Sequence, residues 1–166
     1  RFGDDLGTDG GPFMAPETYR KLFKPRHTEL CAYVKKHSSM RTYLHSCGSV
    51  YHLIPHFIDA GVDILNPVQT SAANMDPARL KREFGDRLCF WGGGCDTQRV
   101  LATGSPEEVR GHVRERMDVF APGGVQREAR ARDPRVLAVA DQPADTGRLD
   151  AQLDPGREAL LAEQDG

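Results

Sequence analysis

Apolar and polar positions alternate in two rhythms along the first 124 residues. Short runs that suit strands are Arg1 to Asp5, Arg41 to His45, Val62 to Asn66 and Leu88 to Gly92. The last two are rich in β-branched or aromatic residues and end at turn residues. Between them, apolar residues recur every three or four positions, the mark of a helix with one buried face. Tyr19, Leu22, Phe23, Leu30, Tyr33 and Val34 predict a helix from about Ala15 to His37, with Pro16 in its first turn. Pro25 lacks a backbone N–H and should kink this helix or divide it. Leu53, Ile54, Phe57 and Ile58 predict a second helix over about Val50 to Ala60, stopped by Gly61. Asp76 reads as the N-cap of a short third helix that begins at Pro77 and ends before Gly85. Ser105 and Glu108 form a capping box for a fourth, running to about Phe120.

Strand followed by helix, four times over, describes an α/β chain with a parallel sheet and crossover helices. A doubly wound sheet and a (β/α)8 barrel both satisfy the order, and four units are half of what a barrel needs. Both folds collect chemistry beyond the C-terminal ends of their strands. The polar residues fall there: Asp4 and Asp5, His45 and Cys47, Asn66 and Gln69, Asp96 and Gln98. The plainer reading is that these residues cap and turn the chain, as Asp and Asn often do.

Composition narrows the partners. The 166 residues are 39% hydrophobic and 28% charged, with a formal net charge of −2, so no basic excess recommends nucleic acid or an anionic membrane. No apolar run approaches a membrane span and no signal-peptide pattern opens the chain. Four cysteines (Cys31, Cys47, Cys89, Cys95) without disulfide-framework spacing fit a reducing compartment, and a cytoplasmic location is the expectation. Cys89, inside a strand, and Cys31, on a helix, are expected in the core. His52, His56 and His112 are expected on helix surfaces, and His27 and His37 belong to no motif.

From Val125 to Gly166 the chain changes character. These 42 residues contain no Lys, Ile, Phe, Tyr, Trp, Met, Asn, Ser, His or Cys. Without aromatic residues they bury little surface against their ordering entropy. They are read either as an irregular tail with a weak helix near Arg157 to Glu163, or as the wrong reading frame of GC-rich DNA. Translating the other frames after Gly124 distinguishes the two.

Candidate chemistry centres on Tyr43-Leu44-His45-Ser46-Cys47-Gly48. Residues i and i+2 of a strand project to one side, so His45 and Cys47 can face one site. An imidazole and a thiolate together suit zinc. The alternative is a buried strand-end thiol beside a hydrogen-bonded histidine.

Several stretches, in order and with consistent spacing, resemble the uroporphyrinogen decarboxylase superfamily, which includes the corrinoid-linked methyltransferases. They are Asp4-Asp5-Leu6-Gly7-Thr8, Phe13-Met14-Ala15-Pro16-Glu17-Thr18-Tyr19, Phe23-Lys24-Pro25, Leu44-His45-Ser46-Cys47-Gly48, Ala60 to Pro67, Leu80 to Gly85 and Trp91 to Gln98. The resemblance covers Arg1 to Gly124 and implies a (β/α)8 TIM barrel of which this chain holds roughly the second half. It also implies chemistry. The methyltransferase-like branch carries a His-x-Cys pair at the place of His45 and Cys47, plus a cysteine on the last strand, and together these bind zinc. Decarboxylases of porphyrin synthesis lack the pair; they hold their substrate's carboxylates with arginines and steady the protonated pyrrole with an aspartate, residues mostly of the other half of the barrel.

The expectation is therefore zinc-dependent methyl transfer between a small-molecule substrate or thiol and a corrinoid carried by a partner protein. The alternative is uroporphyrinogen decarboxylase activity. A third reading is a non-catalytic chain, since half a barrel exposes strand edges, and the 166 residues alone are expected to show no turnover. On the resemblance, Asp4 and Asp5 are expected to orient substrate or move protons, and Asn66, Gln69, Asp96 and Gln98 to contact substrate. The last-strand ligand should follow Gly123-Gly124, where the tail begins instead, so Cys95 is the expected third ligand within this chain.

Overall fold

Four βα units follow one another in the computed structural model, which describes residues 1–122; the readings of the tail lie outside the described residues. The elements are β1 (Phe2–Gly3), α1 (Pro16–Leu22), α2 (Lys24–His37), β2 (Tyr43–His45), a 3-10 turn (Tyr51–Leu53), α3 (Ile54–Asp59), β3 (Ile64–Asn66), α4 (Pro77–Phe84), β4 (Cys89–Phe90), α5 (Val100–Thr103) and α6 (Pro106–Phe120). The sheet is wholly parallel and its strand order, β1-β2-β3-β4, follows the chain. Sequential parallel order with crossover helices is the arrangement of a (β/α)8 barrel, here in part, and it removes the doubly wound alternative, whose strand order reverses.

The strands are shorter than the five-residue runs read from the sequence. Pairing nevertheless continues past them: Asp4 N–H donates to His45 O, Ser46 N–H to Asn66 O, and Trp91 N–H to Leu65 O. Pro25 divides the first helix. Its ring cannot follow a helical turn, so α1 stops at Leu22 and α2 restarts with Pro25 in its first turn. Pro55 likewise sits in the first turn of α3, which makes the expected helix over Val50 to Ala60 a 3-10 turn followed by a shorter α-helix. The caps form as read: Asp76 accepts from Arg79 N–H, and Ser105 and Glu108 close a full capping box. The short α5 was not anticipated; it begins where Asp96 accepts the N–H groups of Gln98 and Arg99.

Strand periodicity separates core from site. Leu44 and Leu65, the middle residues of β2 and β3, are fully buried and pack with Tyr19, Leu53, Phe57 and Leu80 of the helical layer. Their neighbours Tyr43, His45, Ile64 and Asn66 project to the opposite, half-buried face. Cys31 is buried in the helix-side core as expected, and burial pushes its thiol up from the ordinary range.

At the opposite end of the strands from the rim, Asp63 ties β2 to β3. Its carboxylate accepts from the Thr42 N–H at 2.8 Å, the Thr42 hydroxyl at 2.8 Å and Lys35 Nζ at 2.9 Å. Burial alone would raise its pKa; the Thr42 backbone donor, Lys35 and the Thr42 hydroxyl outweigh this and lower it. A carboxylate with a lowered folded-state pKa stabilises the fold above its unfolded value, and the contribution fades as pH falls through the folded value. Asp63→Ala should therefore cost about 1–3 kcal/mol at neutral pH, by leaving the Thr42 N–H unpaired. The gap to wild type in urea unfolding should narrow as the pH drops below about 4. A constant gap down to strongly acid pH would contradict this account.

Candidate metal centre

His45 closes β2 between two register partners, Gly3 of β1 and Asn66 of β3. Gly3 presents no side chain, and a Cβ there would stand 3.3 Å from the His45 Cβ, so glycine leaves the imidazole its room. Asn66 decides the tautomer. Its Nδ2 donates to Trp91 O at 2.7 Å, a carbonyl that only accepts, so Oδ1 faces His45 Nδ1 at 2.6 Å and must receive a proton from it. The neutral ring then bears its lone pair on Nε2.

That nitrogen points at Cys47 Sγ, 3.5 Å away, and lies 3.7 Å from Asp5 Oδ1. Asp5 follows Gly3 by two residues and shares its side of the chain, and its Oδ1 is held by the Cys47 N–H at 3.0 Å. One ligand atom from each of Asp5, His45 and Cys47 lies within 4.8 Å of the other two, the sole such trio of His, Cys, Asp and Glu among the described residues. A tetrahedral zinc with bonds of about 2.3 Å to sulfur and 2.0–2.1 Å to nitrogen and oxygen sets its ligands roughly 3.4–3.5 Å apart. The separations from Nε2, 3.5 Å to sulfur and 3.7 Å to oxygen, and the N, S, O donor set fit such an ion. Burial and the adjacent Asp5 carboxylate push the Cys47 thiol up from its usual range, so a cation beside it is what would favour the thiolate.

Two backbones meet behind the trio. Gly48 has φ of 78°, and a Cβ on it would stand 2.4 Å from the Gly7 carbonyl carbon. Ser49 N–H donates to Thr8 O and Leu6 N–H to Ser46 Oγ, which completes the seam between the loops that follow β1 and β2.

The structure redistributes the other expected site residues. Cys95 stands outside the trio, and the carboxylate of Asp5 takes the third place instead. The Cys95 thiol faces Asp96 O and, with Cys47, lines a cavity of about 470 Å³. Gln69, Asp96 and Gln98 line the same cavity, together with Gly92, Gly93 and Gly94. Gln69 also braces loops, accepting from Gly48 N–H and donating to Asp9, and Asp96 caps the turn before α5. Both amide ends of Asn66 are engaged in orienting His45 rather than reaching the cavity. Asp4 turns away from Asp5 towards α2, where it meets His27 at 2.8 Å. Asn66 as imidazole orienter and His27 as partner of Asp4 were not visible in the sequence; the alternation of side chains after Gly3 is the signal that separates Asp4 from Asp5.

Asn66→Ala removes the acceptor that holds the His45 tautomer. With zinc as the probe ion, the affinity expected of the trio, measured by chelator competition, should fall about 10–100-fold. Unchanged affinity would show that the Asn66 amide does not set the imidazole.

A family model described as Uroporphyrinogen decarboxylase (URO-D) matches residues 7–128. The chain therefore belongs to the URO-D family, whose domain is a TIM barrel and whose members are generally enzymes. No curated protein and no solved structure matches it. Among the described residues, no helix is long and apolar enough to cross a membrane.

Proposed function

We propose that this chain carries the zinc site of a methyl-transferring member of the URO-D family. The observation that supports the reading best is the convergence of His45 Nε2, Cys47 Sγ and Asp5 Oδ1 at ligand-to-ligand distances suited to one ion. Three protein ligands with a position left for substrate is the composition of catalytic zinc sites. Zinc bound there would supply Lewis acidity, lowering the pKa of a substrate thiol or polarising a methoxyl oxygen.

The chain's own residues do the rest. Asn66 keeps the His45 lone pair on Nε2, the Asp5 carboxylate would balance the charge of a bound cation, and the Cys47 thiol would release its proton to solvent on binding one. The adjoining cavity takes the small-molecule substrate. Its lining offers amide, hydroxyl and backbone groups from Gln69, Thr70, Ser71, Thr97 and Gln98. The methyl group's other station is a corrinoid brought to the rim by a partner protein.

Metal content and product decide the matter. The purified chain should retain about one zinc after dialysis, and the closed barrel should move methyl groups between a methylated corrinoid and a small thiol. Carbon dioxide release from uroporphyrinogen by a zinc-free barrel would overturn the proposal in favour of the decarboxylase.

A further inference from the structure

His27 lies on α2, 4% exposed, with both ring nitrogens engaged. Tyr19 of α1, itself fully buried, stands with its hydroxyl 2.8 Å from Nδ1, and Asp4 Oδ2 is 2.8 Å from Nε2. The Asp4 carboxylate only accepts, so Nε2–H donates to it, and the Tyr19 hydroxyl, which burial keeps protonated, has Nδ1 as its partner. Phe2 meets the imidazole edge-on at 5.2 Å and closes its other side. This chain of bonds runs from the helix-side core to the residue next to Asp5.

We infer that His27, backed by Tyr19, is a positioning residue for the metal centre, acting through Asp4 to aim Asp5 at His45 and Cys47. The inference rests on the zinc reading above. Asp4 and Asp5 are consecutive on extended chain, so their side chains leave on opposite sides. Asp4 N–H donates to His45 O at 3.0 Å and Leu6 N–H to Ser46 Oγ at 3.1 Å, which ties the backbone on either side of Asp5. The Asp4 carboxylate clamped to α2 adds a side-chain tie from the helical layer and holds Asp4 off the rim. With Asp4 held there, Asp5 Oδ1 reaches the Cys47 N–H and the neighbourhood of His45 Nε2. Released from His27, the Asp4–Asp5 peptide can tilt between its two backbone ties, which moves the Asp5 oxygen off the trio. Partners that hold a ligand directly ordinarily change metal affinity about 10–100-fold when removed, and His27 acts through one residue more, so the lower end of that range is expected.

The experiment is equilibrium competition for zinc on the full chain, with the thiolate-to-cobalt charge-transfer band of the Co(II)-substituted protein as a second readout. His27→Phe should weaken zinc binding about 10-fold and alter the cobalt spectrum. His27→Gln, whose amide nitrogen still donates towards Asp4, should recover most of the affinity. A purely structural role predicts a lower unfolding temperature with affinity and spectrum unchanged, and that result overturns the inference. Should His27→Phe not fold, Asp4→Ala removes the same link from a half-exposed carboxylate and must show the same loss of affinity. Wild type and Cys47→Ala binding zinc equally would instead overturn the zinc reading, and this inference with it.

Discussion

Cys47→Ala is expected to strip zinc from the chain, and His45→Ala to do the same. Each variant leaves two of the three converging ligands, and two ligands do not hold zinc against dialysis at neutral pH. Zinc per chain, measured by elemental analysis, should drop from about one to near zero in both. Neither change should unfold the protein. Both side chains are only partly buried and face away from the core cluster around Leu44 and Leu65, so the stability of the metal-free chain should change by no more than about 1 kcal/mol. The combination separates a metal site from a structural thiol–imidazole contact, which would leave zinc content untouched. Cys95→Ala serves as the comparison: its sulfur lies outside the trio, and zinc content should persist. Zinc retained in Cys47→Ala and lost in Cys95→Ala would reverse the assignment of the ligands.

Gly48→Ala should cost on the order of 3–5 kcal/mol, near the top of the range for single substitutions. Two causes add. The positive φ of 78° is a conformation that a side chain disfavours by roughly 1–2 kcal/mol. The new methyl group would also sit 2.4–2.5 Å from the Gly7 carbonyl carbon and oxygen, which are backbone atoms and cannot rotate away. The loops after β1 and β2 must then separate. Asp5 rides on one and Cys47 on the other, so zinc affinity should fall along with stability. Gly10→Ala is the control: a Cβ there meets nothing within 4 Å, and the effect should stay within about 0.5 kcal/mol. Denaturant unfolding of the two variants checks the contrast, and equal losses would remove the backbone seam as an explanation.

The legible part of the fold was the part made by neighbours in sequence. The Asp76 cap, the Ser105 and Glu108 capping box, and the break at Pro25 all arise within one helical turn, and each formed where its residue types predict. The strand–helix order was legible for the same reason. The doubly wound and barrel alternatives differ only in which strands pair, a matter of long-range contact, and strand order settled it.

The site divides along the same line. His45 and Cys47 were readable as a pair because a two-residue step on a strand puts both on one side whatever the rest of the chain does. Everything that turns the pair into a possible ligand set comes from 21 to 42 residues away: Asn66, which selects Nε2, and Asp5, which supplies the oxygen. Strand register brought Asn66 beside His45, and two glycines without side chains let the β1 loop close on the β2 loop. The sequence alone thus determined the strand–helix rhythm, the helix ends and a His-x-Cys pair at a strand end. Tertiary structure alone decided that Asp5 rather than Cys95 joins the pair, and that Asp4 belongs to His27. The physical reason is that backbone periodicity is local, whereas ligand geometry depends on how parallel strands register against one another.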